Sequence, residues 1–260
     1  MVANDPGQPN LSGAAAPDAT VDLEVPVSAL AIGAHPDDVE FGAGGTLAKW
    51  AAAGCTVHHL VCTDGSKGTW DPDVDTAALA ERRRHEQREA ARRLSGDRVG
   101  EVLFLGRIDG ELENDGATRR EVAGIIRTLE PSVVLTHDPW KRYRLHPDHR
   151  VTGQVVCDAV VGARDPHFYR DLGLAPFRPD ALLLFEADQP NHAEDVSTTV
   201  DSKLAALLAH ESQFESTMHA VDGDPDQLEA FRTRIRSRLA DLGRPWGLDA
   251  AEVFALIDDL

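Results

Sequence analysis

The chain has 260 residues and a formal net charge of −18, from 26 Lys and Arg against 44 Asp and Glu. Such a charge repels phosphate backbones and anionic lipid, and no apolar run reaches the roughly 18 residues a membrane helix needs. Nucleic acid and membrane surfaces are therefore excluded as partners, and the absence of a basic patch followed by an apolar signal core leads us to expect a cytoplasmic protein. The length and the 42% apolar content suit one α/β domain with one large core. Cys55, Cys62 and Cys157 are odd in number and widely spaced, so they read as small core residues and not as a disulfide framework or Cys-x-x-Cys metal site.

Residues 1–25 are rich in Pro, Gly, Ala and Asp without hydrophobic period, which predicts a disordered tail before a single domain over 26–260. Short apolar, β-rich runs then alternate with helical patterns. The first strand is Ser28 to Ala34, followed by a helix from about Asp38 to Ala53 that Gly54 stops. A strand at Thr56 to Thr63, a loop over 64–75, and a charged helix from Thr76 to Leu94 come next. Glu101 to Leu105 reads as a strand, and Thr118 to Leu129 as a helix with Val122, Ile125, Ile126 and Leu129 at the 3.6 period. Val133 to Thr136 is the fourth strand, and a loop and helix run on to about Val161. Ala181 to Phe185 is a strand, Ser202 to Ala209 and Pro225 to Leu242 are helices, and Val253 to Ile257 is a final edge strand. Each strand is nearly all apolar, as expected of a mainly parallel sheet with helices on both faces. Ligands in that architecture sit beyond the carboxyl ends of the strands, at 35–38, 64–75, 106–115 and 137–149.

Two of those segments join imidazole to carboxylate: His35-Pro36-Asp37-Asp38 after the first strand and His146-Pro147-Asp148-His149 after the fourth. His35 and Asp38, three apart across a strand-to-helix turn, can reach one point, and His149 at the opening of the next helix supplies a third ligand. Two His and one carboxylate hold Zn²⁺ with a coordination position left for water, and Fe²⁺ accepts the same set. Asp37 points differently from Asp38 and occupies the place of a general base. Helix capping by Asp explains one such tetrapeptide but not two at the same edge of a sheet.

These motifs resemble those of the LmbE-like, or PIG-L type, zinc-dependent N-deacetylases, over about Ala31 to Gln213. The resemblance implies a Rossmann-like fold and removal of an acetyl group from an N-acetylglucosamine-containing small molecule. It further implies His35, Asp38 and His149 as zinc ligands, Asp37 as base, and His146 as a protonated electrophilic partner oriented by Asp148. Arg83, in a helix similar to a family Arg-x-x-Glu helix, is implied to reach sugar hydroxyls; a solvated, ion-paired helix face is the alternative. Trp70, in the loop Asp64 to Trp70, stacks on a sugar face or anchors its loop. His210 to Gln213 resembles a family His-x-Ser-Gln helix end with a structural or pocket-rim place. The resemblance also allows a homo-oligomer. Family branches that cleave thiol-sugar conjugates carry Glu-Ser after the Asp pair where this chain has Val39-Glu40, which favours a deacetylase over that amidase. Gly42-Ala43-Gly44-Gly45 raises a nucleotide-binding, non-hydrolytic module, but Leu47 stands where a third glycine belongs, and close helix–sheet packing accounts better for these glycines.

Overall fold

The computed structural model describes residues 19–221 and 223–260. Eight strands form one sheet in the order β1-β7-β8-β6-β5-β2-β3-β4. The strands are β1 (Thr20–Val21), β2 (Ser28–Gly33), β3 (Thr56–Thr63), β4 (Val99–Arg107), β5 (Val133–His137), β6 (Ala181–Phe185), β7 (His192–Asp195) and β8 (Ala251–Ile257). The helices are α1 (Asp38–Ala52), α2 (Thr76–Ser95), α3 (Gly116–Leu129), α4 (Pro147–Arg164), α5 (Val200–Leu207) and α6 (Pro225–Gly243). All pairings are parallel except those of β8 with β6 and β7. The expected α/β architecture is therefore present, as a mostly parallel, mixed sheet.

Strand alternation explains the layering. Successive side chains on a strand point to opposite faces, and Leu30 and Ile32 of β2 pack with Val122, Ile126, Val155 and Val156 of α3 and α4. Ala29 and Ala31 turn the other way, onto Leu47 and Trp50 of α1. Small residues on that second face let α1 lie close. A Cβ on Gly42 would come within 2.5 Å of the Phe185 ring and one on Gly45 within 2.8 Å of Val196, so close packing is what these glycines serve. A third cluster, with Leu204, Leu207, Phe231, Ile235 and Leu239, joins α5 to α6.

Two expectations need correction. The C-terminal strand is not at an edge: β8 lies between β6 and β7, and β7 was not foreseen because four residues, His-Ala-Glu-Asp, carry no apolar run. Residues 19–25, expected to belong to a disordered tail, are also ordered. Residues 1–18 lie outside the described residues, but Thr20 and Val21 pair with His192 and Ala193, and Asp22 accepts from Lys49 Nζ at 2.7 Å. Composition alone could not show that β7 offers its edge to this segment.

The topology also sets where a ligand can sit. From β2 the chain moves outward through β3 and β4, and then returns to place β5 on the other side of β2 and β6 beyond it. The order thus reverses between β2 and β5. Pairing between these strands spans Ala29–Ala31 and Val133–Leu135 only, and the carboxyl ends that continue past it frame a crevice, the usual ligand position in such sheets.

Candidate active site

His35 and Asp38 follow β2, and His137 closes β5 while His149 lies in the first turn of α4, so the switch point gathers all four. Asp38 Oδ2 accepts from the His35 backbone N–H at 2.7 Å, which folds the His-Pro-Asp-Asp turn back on itself. Donor atoms of the three residues lie close in pairs: His35 Nδ1 is 3.3 Å from Asp38 Oδ2, His149 Nε2 is 3.2 Å from the other oxygen, Asp38 Oδ1, and the two imidazoles approach to 3.1 Å. A tetrahedral zinc with bonds of about 2.0–2.1 Å requires ligand atoms about 3.3 Å apart. The residue types and pair distances suit the metal, and two overlapping sets, Asp38 with His137 and His149, and His35 with His146 and His149, each bring three donor atoms within 4.8 Å of one another.

The remaining contacts suit a cation as well. His35 Nε2 faces Asp148 Oδ2 at 3.1 Å and Asp109 Oδ1 at 3.3 Å, and an imidazole whose far nitrogen is held by a carboxylate is the usual arrangement of a metal-bound histidine. Burial would lower the His35 pKa, but Asp109, Asp148 and Asp38 outweigh it and hold the ring well above its ordinary value. Burial would raise Asp38, but the His149 and His137 imidazoles hold it well below the usual carboxylate range. Positive charge is thus favoured where these groups meet. Arg144 can only donate, and its Nε lies 2.8 Å from His149 Nδ1, so that nitrogen accepts and Nε2 is the one left to face the metal position.

Asp37 occupies the N-cap position of α1 with φ 104°, a left-handed conformation, and its side chain caps no backbone amide. Its carboxylate is released into the site. Burial pushes the Asp37 carboxyl up to about 6 while the Arg83 guanidinium opposes the rise. A cavity of about 500 Å³ opens over this group, lined by His35, Asp37, Asp38, His146, His149 and Trp70 among others. Of the expected site residues, all but Asp148 line it, and Asp148 lies directly beneath His35.

Three expected roles are revised. Asp148 was expected to orient His146, yet its carboxylate is taken up by His35 Nε2, by Gly110 N–H at 2.7 Å and by Leu112 N–H at 3.3 Å. His146 instead packs edge-on to His35, with ring centroids 4.5 Å apart, and stacks on His149. Burial and the neighbouring His35 and His149 lower its pKa, so a neutral ring, not an imidazolium, is favoured there. Arg83 is buried: its Nη1 donates to Gly65 O at 2.9 Å, its Nη2 to Pro36 O at 2.5 Å, and Asp37 Oδ2 is 3.4 Å away. This guanidinium ties the 64–75 loop to the His-Pro-Asp-Asp turn, faces the base and borders the cavity. Trp70 is 78% exposed at the cavity mouth, which leaves its indole face open.

Sequence reasoning missed His137, Asp109, Arg144 and Glu186. His137 Nε2 lies 3.2 Å from Asp38 Oδ2, and its ring stacks on His149 at 4.4 Å between centroids. Glu186, after β6, pairs with Arg144 and sits 3.8 Å from His137. His137 ends β5, Asp109 and Glu186 closely follow β4 and β6, and Arg144 lies in the loop before α4; position at the strands' carboxyl ends is the signal that could have found them. His210, expected to be structural or at the rim, is fully buried behind the site.

The site can be compared with known proteins. The family description "PIG-L: GlcNAc-PI de-N-acetylase" matches residues 30–160, the segment that supplies β2 to α4 and both motifs. A diacetylchitobiose deacetylase of Thermococcus kodakarensis is 40% identical over 188 residues, which cover 71% of this chain and 69% of the relative. The chain belongs to the PIG-L family. Membership makes it an enzyme, a metal-dependent N-deacetylase. A 1D-myo-inositol 2-acetamido-2-deoxy-alpha-D-glucopyranoside deacetylase of Segniliparus rotundus is 30% identical over 246 residues, covering 71% of this chain and 76% of its own. Among solved PIG-L-like structures, the N,N'-diacetylchitobiose deacetylase of Pyrococcus horikoshii, complexed with an inhibitor, superposes with a TM-score of 0.80 at 31% identity. That match covers 90% of this chain and 84% of the other. None of the helices among the described residues is long and apolar enough to cross a membrane.

Proposed function

We propose that this enzyme removes the acetyl group from the N-acetylglucosamine unit of a small glycoside, with Zn²⁺ held by His35, Asp38 and His149 and with Asp37 as general base. The observation that carries the reading is the approach of these residues' donor atoms to within 3.3 Å of one another in pairs beside an uncapped Asp37 carboxylate. The substrate class rests on the relatives, whose named substrates are diacetylchitobiose and an N-acetylglucosaminyl inositol. Zinc supplies a Lewis acid for the amide carbonyl and lowers the pKa of bound water to about 7; Fe²⁺ offers the same chemistry on the same ligands.

The chain's own groups divide the remaining work. Asp37 Oδ accepts the proton of the water that attacks the carbonyl carbon, and Arg83, 3.4 Å away, keeps that carboxylate ionised against its burial. His146 donates a hydrogen bond from a neutral ring to the carbonyl oxygen as negative charge gathers there; removal of such a donor typically costs about 10²–10³ in rate. The C–N bond then breaks, and the proton held at Asp37 balances the one the departing amine requires. Asp148 and Asp109 hold His35 in the orientation that aims Nδ1 at the metal position. Trp70 offers a flat apolar face for the sugar or for the group attached to it.

The test is acetate release from N-acetylglucosamine and its simple glycosides by protein stripped of metal and then titrated with zinc. Acetate that appears in step with zinc supports the reading; bound zinc without acetate from any of these substrates refutes the substrate class.

A further inference from the structure

Behind the site lies a set of fully buried polar side chains that the proposed chemistry does not use: Gln87 of α2, Glu40 of α1, His59 of β3 and His210. Gln87 connects them to the base. Its Oε1 accepts the backbone N–H of Asp37 at 3.0 Å, and its Nε2 donates to Glu40 Oε1 at 2.8 Å. The orientation of this amide follows from chemistry: a backbone N–H can only donate, so the atom facing Asp37 is the oxygen and the NH₂ faces the carboxylate. Glu40 is fixed in turn, since its Oε2 lies 3.3 Å from His210 Nε2 and its Oε1 3.8 Å from His59 Nδ1.

Asp37 needs such a hold. Its φ of 104° is a conformation that non-glycine residues adopt only when the surroundings enforce it. The strain has a use, because an ordinary N-cap conformation would turn the carboxylate toward the amides of α1. We propose that Gln87, anchored on Glu40, is a positioning residue that holds the Asp37 backbone in this left-handed conformation and so aims the carboxylate into the cavity. This rests on the reading of Asp37 as base, but the backbone claim can be measured without it.

The experiment compares full-length wild type, Gln87→Met, Asp37→Ala and the double variant, each loaded with zinc. Exchange of the Asp37 amide proton, followed by NMR, should quicken at least tenfold in Gln87→Met while β5 amides keep their protection. The kcat for acetate release should fall about 10–100-fold with KM within twofold of wild type and zinc content unchanged, since a misplacement of about 1 Å can cost that much. In the Asp37→Ala background the Gln87 change should alter residual turnover by less than twofold, because a residue that acts through Asp37 has nothing left to position. If Gln87→Met does not fold, Gln87→Asn, one methylene too short to span both partners, carries the same comparison. Unchanged Asp37 exchange overturns the proposal whatever the activity, as does a further loss of turnover on the Asp37→Ala background. Wild type that releases no acetate overturns the functional reading alone, and the amide exchange still decides this one.

Discussion

Asp37 and Asp38 are neighbours in sequence with opposite surroundings. Burial lifts Asp37 to about 6, while His149 and His137 hold Asp38 well down, which suits one for moving a proton and the other for holding a cation. Asp37→Ala should therefore keep stoichiometric zinc by elemental analysis and lose about 10²–10⁴ in kcat, the usual size of a general-base contribution. Full activity in that variant would remove the assignment. Asp148 acts one step back, on His35, so Asp148→Asn should weaken zinc affinity about 10–100-fold in competition with a chelator, with the protein still folded. At this scale the two His-Pro-Asp motifs were readable because the three proposed ligands and the proposed base fall within eight residues of motif. His137, Asp109 and Glu186 were not, because each is a single polar residue past a strand, and their meeting depends on strand order.

Helix α1 is the element that delivers the site, and its register is fixed by contacts far from the chemistry. Gly42 lies against Phe185, so Gly42→Ala should force the helix off the sheet and destabilise the fold by about 1–3 kcal/mol in a urea titration, with a matching loss of the Asp37 geometry. The other end of α1 carries Lys49, which pairs with Asp22 beside β1 and with Glu194 of β7. The Glu194 carboxylate is fully buried. Lys49→Met would leave it without its cation and should cost about 1–3 kcal/mol, measured by the same titration. The helices were legible to within a few residues, since stops such as Gly54 and the 3.6 period are local signals; the structure adds N-caps at Asp75 and Asp115. Strands β1 and β7 were not, because two and four residues are too few to show a period, and only their neighbours make them strands.

At the scale of the molecule, zinc would join segments that are 114 residues apart, through His35 and His149. A ligand that binds only the folded state stabilises it by about 2.7 kcal/mol at a hundred times Kd, so saturating zinc should raise Tm and a chelator should lower it again. The cysteines provide an independent check of the core. Burial pushes Cys62 and Cys157 up to about 12 and Cys55 to about 11, so a thiol reagent at pH 8 should label none of the three in native protein and all three in denaturant. Labelling of native Cys62 would contradict the packing of β3 against α4.

The sequence by itself determined the class of fold and the residues proposed to bind metal and to act as base, because apolar alternation and His-Pro-Asp motifs are written in contiguous stretches. The tertiary structure decided which carboxylate serves which imidazole, that Arg83 clamps a loop and faces the base, and that β8 runs inside the sheet. Those outcomes depend on hydrogen bonds and ion pairs between residues 18 to 206 positions apart, and such pairings are set by the order of strands, which no local pattern encodes.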